Sequence, residues 1–186
     1  MCNINYVLSR LLCCCFVNAN KILRKSLSSI LAKNVFNLNA KELLRLKNKN
    51  NERFLDLYSK ELVLFFISIG IKPRDKILNQ STIPNWIWRD DNFLRACLRG
   101  LIDTDGSIFR MSNKNPNLLR ICFTNYNIKL LNDTRDSFIK LGFNPSKIIS
   151  NKQFFISRKK DIGKYLKKVG FSNKKHIDRV KDFLAP

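Results

Sequence analysis

From Phe93 to Ile102 the apolar residues return at three- and four-residue spacing: Phe93, Leu94, Cys97, Leu98, Leu101 and Ile102. That period predicts an amphipathic helix with one buried face. Ala96, Gly100 and Thr104 form a second stripe, four residues apart and all small. Small residues at this spacing let another helix approach closely. Asp91 or Asn92 is the expected N-cap. Gly106 is expected to stop the helix by taking the left-handed conformation. Just before that stop stand Asp103 and Asp105. An acid in the last turn meets the negative end of the helix dipole, at a cost of roughly 0.3–1 kcal/mol. A bound divalent cation would account for placing two acids there.

Elsewhere the pattern predicts strands at Leu11–Val17 and Phe54–Tyr58, and helices at Lys21–Lys33 and Lys60–Ile69, the second stopped by Gly70. Lys41–Asn51 is highly charged, and Lys47–Asn51 within it reads as a flexible loop. Ile71–Trp88, with Pro73 and Pro84, reads as a connector. After Gly106, Ser107–Ser112 and Leu118–Asn125 alternate as paired strands around the loop Asn113–Asn117. A helix at Asn127–Leu141, a strand at Lys152–Ser157, a helix at Lys159–Val169 stopped by Gly170, and a basic helix at Lys174–Leu184 complete a mixed α/β (α+β) chain.

Two parts of this list echo each other. Cys15–Asn20 matches Cys122–Asn127 in pattern, and each is followed by a helix with apolar pairs. Ser59–Gly70 matches Ser157–Gly170, with Lys76 and Lys175 a few residues beyond the respective glycines. The offset is 107 residues between Phe16 and Phe123 but 99 between Lys76 and Lys175, so the first copy carries extra residues.

Charge narrows the function classes. The 186 residues carry a formal net charge of +21, and no acid precedes Glu42. Such an excess suits a polyanion, with nucleic acid ahead of an anionic membrane. Six cysteines show no Cys-x-x-Cys pair and the only histidine is His176, so zinc-finger spacing is absent. A lone histidine also argues against nucleases that use histidine as general base. Arg10 interrupts the apolar run Tyr6–Val17, and Leu62–Ile71 is too short for a bilayer. No membrane is expected, and the location expected is intracellular and cytoplasmic, with a mitochondrion or chloroplast as the alternative.

Leu98–Gly106 resembles the LAGLIDADG motif of homing endonucleases. Seven of nine letters match, with Arg99 and Thr104 in place of alanines. The approach through Gly70, Lys76, Ile83–Pro84 and Phe93–Leu94 resembles the lead-in to the second motif of two-motif members. Phe171–His176 and Arg179 resemble the end of that half, so the likeness spans roughly Leu62–Leu184. The resemblance implies αββαββα-type repeats with a curved antiparallel DNA-binding sheet and two motif helices packed along Ala96, Gly100 and Thr104. It implies that Asp105 binds the catalytic metal, Mg²⁺ being the expected ion, and that Asp103 is structural. Lys76 and Lys175 match the basic residues that polarise water, with Lys174 as the alternative to Lys175.

The activity this implies is site-specific hydrolysis of both strands of double-stranded DNA, in intron or intein homing. Alternatives are an intron-RNA maturase and a non-catalytic DNA-binding remnant. Within the first of the two paired strands, Phe109 and Met111 share one face while Ile108, Arg110 and Ser112 share the other. Leu119, Ile121 and Phe123 alternate with Arg120, Cys122 and Thr124. The apolar face is expected on the helices. Arg110, Arg120 and Thr124 are expected at bases, Ser112 on the face of Arg110, and Lys114 and Lys152 at phosphates.

Asp105 lies 18 residues before Phe123, so the acid matching Phe16 would fall before Met1. Residues 1–90 are therefore expected to be an incomplete first repeat without its motif helix, plus the connector. Residues 91–186 are expected to be a complete second repeat. Cleavage of both strands would then need a homodimer or a separately encoded first half, and the isolated chain would be inactive. The charge sets one measurable expectation. Duplex affinity should fall with salt at a log–log slope near −0.9 per neutralised phosphate, and a sheet lying along a groove should neutralise about six or more. A slope near zero in a filter-binding titration would contradict a phosphate-bound sheet.

Overall fold

The structure, a computed structural model, describes residues 41–47, 50–56, 60–71, 77–111 and 118–184. The expected strand at Leu11–Val17, the helix at Lys21–Lys33 and the loop Asn113–Asn117 lie outside them, as do Lys76, Ser112 and Lys114. In chain order the elements are β1 (Lys41–Lys47), β2 (Asn50–Asp56), α1 (Lys60–Ser68), α2 (Asp91–Asp105), β3 (Gly106–Arg110), β4 (Leu119–Thr124), α3 (Ile128–Lys140), β5 (Gln153–Ile156), α4 (Lys159–Lys168) and α5 (Lys174–Leu184).

The first of these corrects the sequence reading. Lys41–Lys47, noted from the sequence only for its charge, is a strand paired antiparallel with β2 from Lys41–Asp56 to Lys47–Asn50, so Lys47, Asn50 and Asn51 of the expected loop lie in strands. Farther on, α1 ends as expected at Gly70, whose φ is +93°, and α4 ends at Gly170 with φ +68°. Both glycines sit in the left-handed region that a side chain disfavours.

The connector is built into the fold rather than looped over it. Ile83 and Ile87 are fully buried, and Ile87–Arg89 forms one 3-10 turn. Asp133 on α3 accepts a hydrogen bond from the Ile83 amide at 2.8 Å, and Asn127 Nδ2 donates to the Ser81 carbonyl at 2.8 Å. The Lys140 ammonium donates to the Trp88 carbonyl. Three bonds thus pin the connector along α3 and deliver the chain to the start of α2.

The helix α2 starts at Asp91 because Asp90, one residue earlier than expected, is its N-cap; Asp90 Oδ1 accepts from the Asn92 amide at 2.6 Å. Its apolar face, with Leu94, Cys97, Leu98, Leu101 and Ile102, is buried. It packs on the inner face of an antiparallel sheet ordered β3–β4–β5 and on α3. Phe123, Phe138, Phe154 and Tyr165 join sheet, α3 and α4 through a chain of ring contacts. The fourth strand of an αββαββα unit is reduced to the bridge Ile149–Gln153 and the bond from the Ser146 amide to the Phe155 carbonyl.

Gly106 ends α2 for a different reason from the one expected. Its φ is −99° and ψ 171°, extended and open to any residue. What excludes a side chain is space: a Cβ there would lie 2.5 Å from the Ile102 carbonyl oxygen and 2.8 Å from its Cα. The helix turns straight into β3 at this point, with the Gly106 amide donating back to the Ile102 carbonyl. Gly106→Ala should therefore cost about 1–3 kcal/mol of stability through overpacking against backbone. Urea unfolding with an unchanged midpoint would contradict this account.

Candidate active site

The two acids at the end of α2 have separate surroundings. Asp105 is half-buried, and its Oδ2 accepts a hydrogen bond from Asn125 Nδ2 at 2.9 Å. Asn125, just past β4, is buried, and its Oδ1 accepts from the Asn127 amide at 2.9 Å. Asn127 in turn caps α3, accepting from the Leu130 amide at 3.1 Å. A relay of two buried asparagines therefore fixes Asp105 relative to both β4 and α3. Neither asparagine was singled out from the sequence as part of the site. Their signal was the Asn125-x-Asn127 spacing ahead of a helix, read there only as part of a repeat.

Asp103 faces the other way, toward the segment that opens α5. The Ser172 amide donates to Asp103 Oδ2 at 2.7 Å, and Asn173 Nδ2 donates to the Asp103 carbonyl at 3.0 Å. The same Asn173 caps α5, its Oδ1 accepting from the Lys175 amide at 3.1 Å. The structure thus brings the first turn of α5, with exposed Lys174 and Lys175, to the end of the motif helix. His176 in that turn is buried, with its imidazole beside the main chain of Asp103. Burial first, then the nearby Arg179 guanidinium, hold its pKa below the ordinary value of 6.5.

Of the small stripe, Ala96 is buried while Gly100 and Thr104 are half-buried. The Thr104 hydroxyl bonds back to the Gly100 and Leu101 carbonyls, both at 2.9 Å, so it satisfies itself within its own helix. Arg99 is more than a tolerated departure from alanine. Its Nε donates to the Val169 carbonyl at the end of α4, placing a cation where that helix dipole is negative.

The sheet separates residues that the strand pattern had grouped. Ile108 pairs with Ile121, Phe109 with Arg120 and Arg110 with Leu119. Partners across a ladder share a face. Arg110 therefore stands on the face of Ile108, Leu119 and Ile121, exposed at the sheet end, and not beside Arg120. The grouping of Arg110 with Arg120 and Thr124 does not hold, because alternation within a strand leaves the register across the hairpin open. The outer face carries Ser107, Phe109, Arg120, Cys122 and Thr124, continued by Gln153 and Phe155 of β5. The Arg120 guanidinium lies over the Phe155 ring at 4.9 Å. Burial raises the Cys122 thiol pKa on this face. At the sheet edge the Lys152 ammonium lies 5.1 Å from the exposed Tyr126 ring.

Among the described residues no group of three or more His, Cys, Asp or Glu is assembled for a metal ion. The donor chemistry present is hard oxygen: the Asp105 carboxylate at a helix end. One carboxylate fits Mg²⁺, which keeps several waters and takes one or two carboxylates together with substrate phosphates.

Residues 92–180 match the family model of the LAGLIDADG-like domain. Over those residues the chain is similar to a LAGLIDADG-like domain. The solved structure of I-DmoI in complex with DNA and Mn is similar over 91% of this chain and 99% of its own, at 16% identity and TM-score 0.58. The N-terminal LAGLIDADG domain of DUF199/WhiA is similar over 96% and 88%, at 19% identity and TM-score 0.54. Mesophilic variants of the homing endonuclease I-DmoI give 90% and 96%, at 16% identity and TM-score 0.57. Further I-DmoI structures hold DNA with Ca, or with DNA in the presence of Mg. No curated protein matches the chain. The mixed α/β fold expected from the sequence is thus that of the LAGLIDADG homing endonucleases, and Asp103, Asp105 and Gly106 lie inside the matched region.

The asparagine relay generates a test. Asn125→Ala removes the donor to Asp105 and the acceptor for the Asn127 amide, leaving a buried N–H unmatched. A loss of about 1–3 kcal/mol is expected in urea unfolding. Full retention of stability would mean that the relay does not anchor the acid.

Proposed function

We propose that this LAGLIDADG-like domain serves a site-specific, divalent-metal-dependent DNA endonuclease, acting in intron or intein homing. The observation that carries the reading is Asp105, fixed by Asn125 at the end of the motif helix where that helix turns directly into the sheet. Fold likeness alone leaves function open; a fixed carboxylate at that turn is a site. The fold-related I-DmoI was solved with DNA and divalent ions.

In this reading duplex DNA lies along the outer face of β3–β4–β5. Arg120 and Thr124 reach bases, and Arg110 reaches the DNA from the sheet end. Lys152 contacts phosphate, and Ser112 and Lys114 follow in the β3–β4 connection. A sheet of this kind fits the major groove. Asp105 would hold the metal, which when bound supplies charge relief on the phosphate and an acidified water. Lys175, two residues past the Asn173 that grips Asp103, positions and polarises a water on this side of the duplex; Lys76 has the same role in the first unit. Asp103 keeps the helix end in place.

The described residues supply one such carboxylate. The proposal therefore includes a second one, from another copy of the chain or from a separately encoded first half, packed along Ala96, Gly100 and Thr104. Residues 1–90 are proposed to belong to a first unit. A chain that never finds that partner would bind DNA without cutting both strands, which is the remnant reading.

Asp105→Asn tests the proposal because it preserves shape and removes charge. In an assembly where the parent cuts a selected duplex with Mg²⁺, the variant should lose cleavage and keep DNA binding within a few-fold. Cutting at the parental rate would refute the assignment of Asp105.

A further inference from the structure

His176 is the only histidine of the chain and is 4% exposed. Its ring packs on Phe171 with centroids 5.1 Å apart, and Phe171 packs on Tyr165 at 5.2 Å. The main chain of Asp103 approaches one imidazole nitrogen. The other, Nδ1, is buried and has no hydrogen-bond partner, and neither has the buried Tyr165 hydroxyl on the far side of Phe171. A buried polar atom left without a partner in a well-packed site needs an explanation. For Nδ1 the explanation is the protonation state. A neutral imidazole with its proton on Nε2 presents only a lone pair at Nδ1. That form loses little by burial. Adding a proton at Nδ1 would create a buried donor with no acceptor and a charge near two cations.

The groups around the ring come from three elements. Asp103 faces it from α2; Arg179 and Lys175 face it from α5 itself; and Tyr165 of α4 lies behind Phe171. Arg179 Nη1 also donates to the Ile108 carbonyl of β3 at 3.5 Å, so the same helix is tied to the sheet one turn farther on. Ser172 and Asn173 therefore grip Asp103 at its carboxylate and main chain, with His176 buried beside them.

We propose that His176 is a positioning residue: its neutral imidazole latches the first turn of α5, and with it Lys175, onto the last turn of the motif helix, and protonation opens the latch. The role given to Lys175 rests on the endonuclease reading; the latch itself does not. The sign follows from burial. The unfolded chain takes the proton near pH 6.5 while the folded chain resists it, so the latch contributes stability above pH 6.5. That contribution is lost as the pH falls from there through the lower folded value.

The single imidazole can be read directly in a long-range ¹H–¹⁵N spectrum of the full chain. The expected result is the Nε2–H tautomer and a titration midpoint below 6.5. An Nδ1–H tautomer, or a midpoint at or above the free value, overturns the latch. Thermal melts from about pH 8 to about pH 5 should show a loss of Tm in the parent that is smaller in His176→Gln, whose amide can still donate to Asp103 but does not titrate. Equal pH slopes overturn the proposal. In a cleaving assembly, His176→Ala should lower kcat by roughly 10- to 100-fold with KM for DNA little changed, and His176→Gln should restore it. An unchanged kcat in a folded Ala variant refutes the positioning role. If the parent cuts nothing, the endonuclease reading falls while the spectrum and the melts still decide the latch.

Discussion

The close approach at Gly106 sets everything around it. There α2 stops within one residue and the chain leaves as β3, so the last helical turn and the first strand residue share backbone volume. No side chain fits. The consequence is geometric: the helix end stands at the sheet rather than a loop's length away. A carboxylate in that last turn is therefore fixed to the sheet surface by covalent geometry, before any hydrogen bond is counted. A longer turn would leave Asp105 on a flexible segment, and positioning at the tenth-of-a-nanometre scale is what chemistry at such a site requires.

Holding an acid at a helix C-terminus works against the dipole. The fold offsets that cost with directed donors. Asn125 reaches Asp105 from β4, and the Ser172 amide reaches Asp103 from the entry to α5. The donors come from two different elements, so each acid ties the motif helix to a separate part of the domain. Arg99 adds a third tie, to the end of α4. The motif helix is thus surrounded by bonds at its C-terminal end and by apolar packing along its length, and the connector pinned on α3 fixes where it starts.

Much of this was readable from the chain, for identifiable reasons. The helix α2 announced itself because six apolar residues keep strict helical spacing, and the β3–β4 pair because alternation and a polar loop coincide. The cap was misplaced by one because Asp90, Asp91 and Asn92 are all competent caps. The strand β1 was missed because charge outweighed alternation in Lys41–Lys47, where the ladder with β2 defines the element. Arg110 was grouped with Arg120 because one strand's period cannot fix its register against the next. Gly106 was recognised as necessary, but for conformation rather than for space; a contact with the preceding turn has no sequence signature. His176 entered the sequence reading only as the lone histidine and the end of the Phe171–His176 stretch, although its spacing to Val180 places it on the apolar face of α5.

The two acids of the motif illustrate how identical side chains two residues apart acquire different work. Helical geometry points positions two apart roughly 200° away from each other. Asp103 is therefore turned toward α5, where a main-chain amide and an asparagine close around it, and Asp105 toward β4. A main-chain donor belongs to the fold and cannot leave without unfolding the segment that carries it. An asparagine amide is a side-chain donor that can share a carboxylate with another ligand. The pairing makes Asp103 the acid that holds α5 and Asp105 the acid suited to hold an ion against DNA. Moving either acid by one position would turn that carboxylate roughly 100° around the helix, away from the donor it now meets.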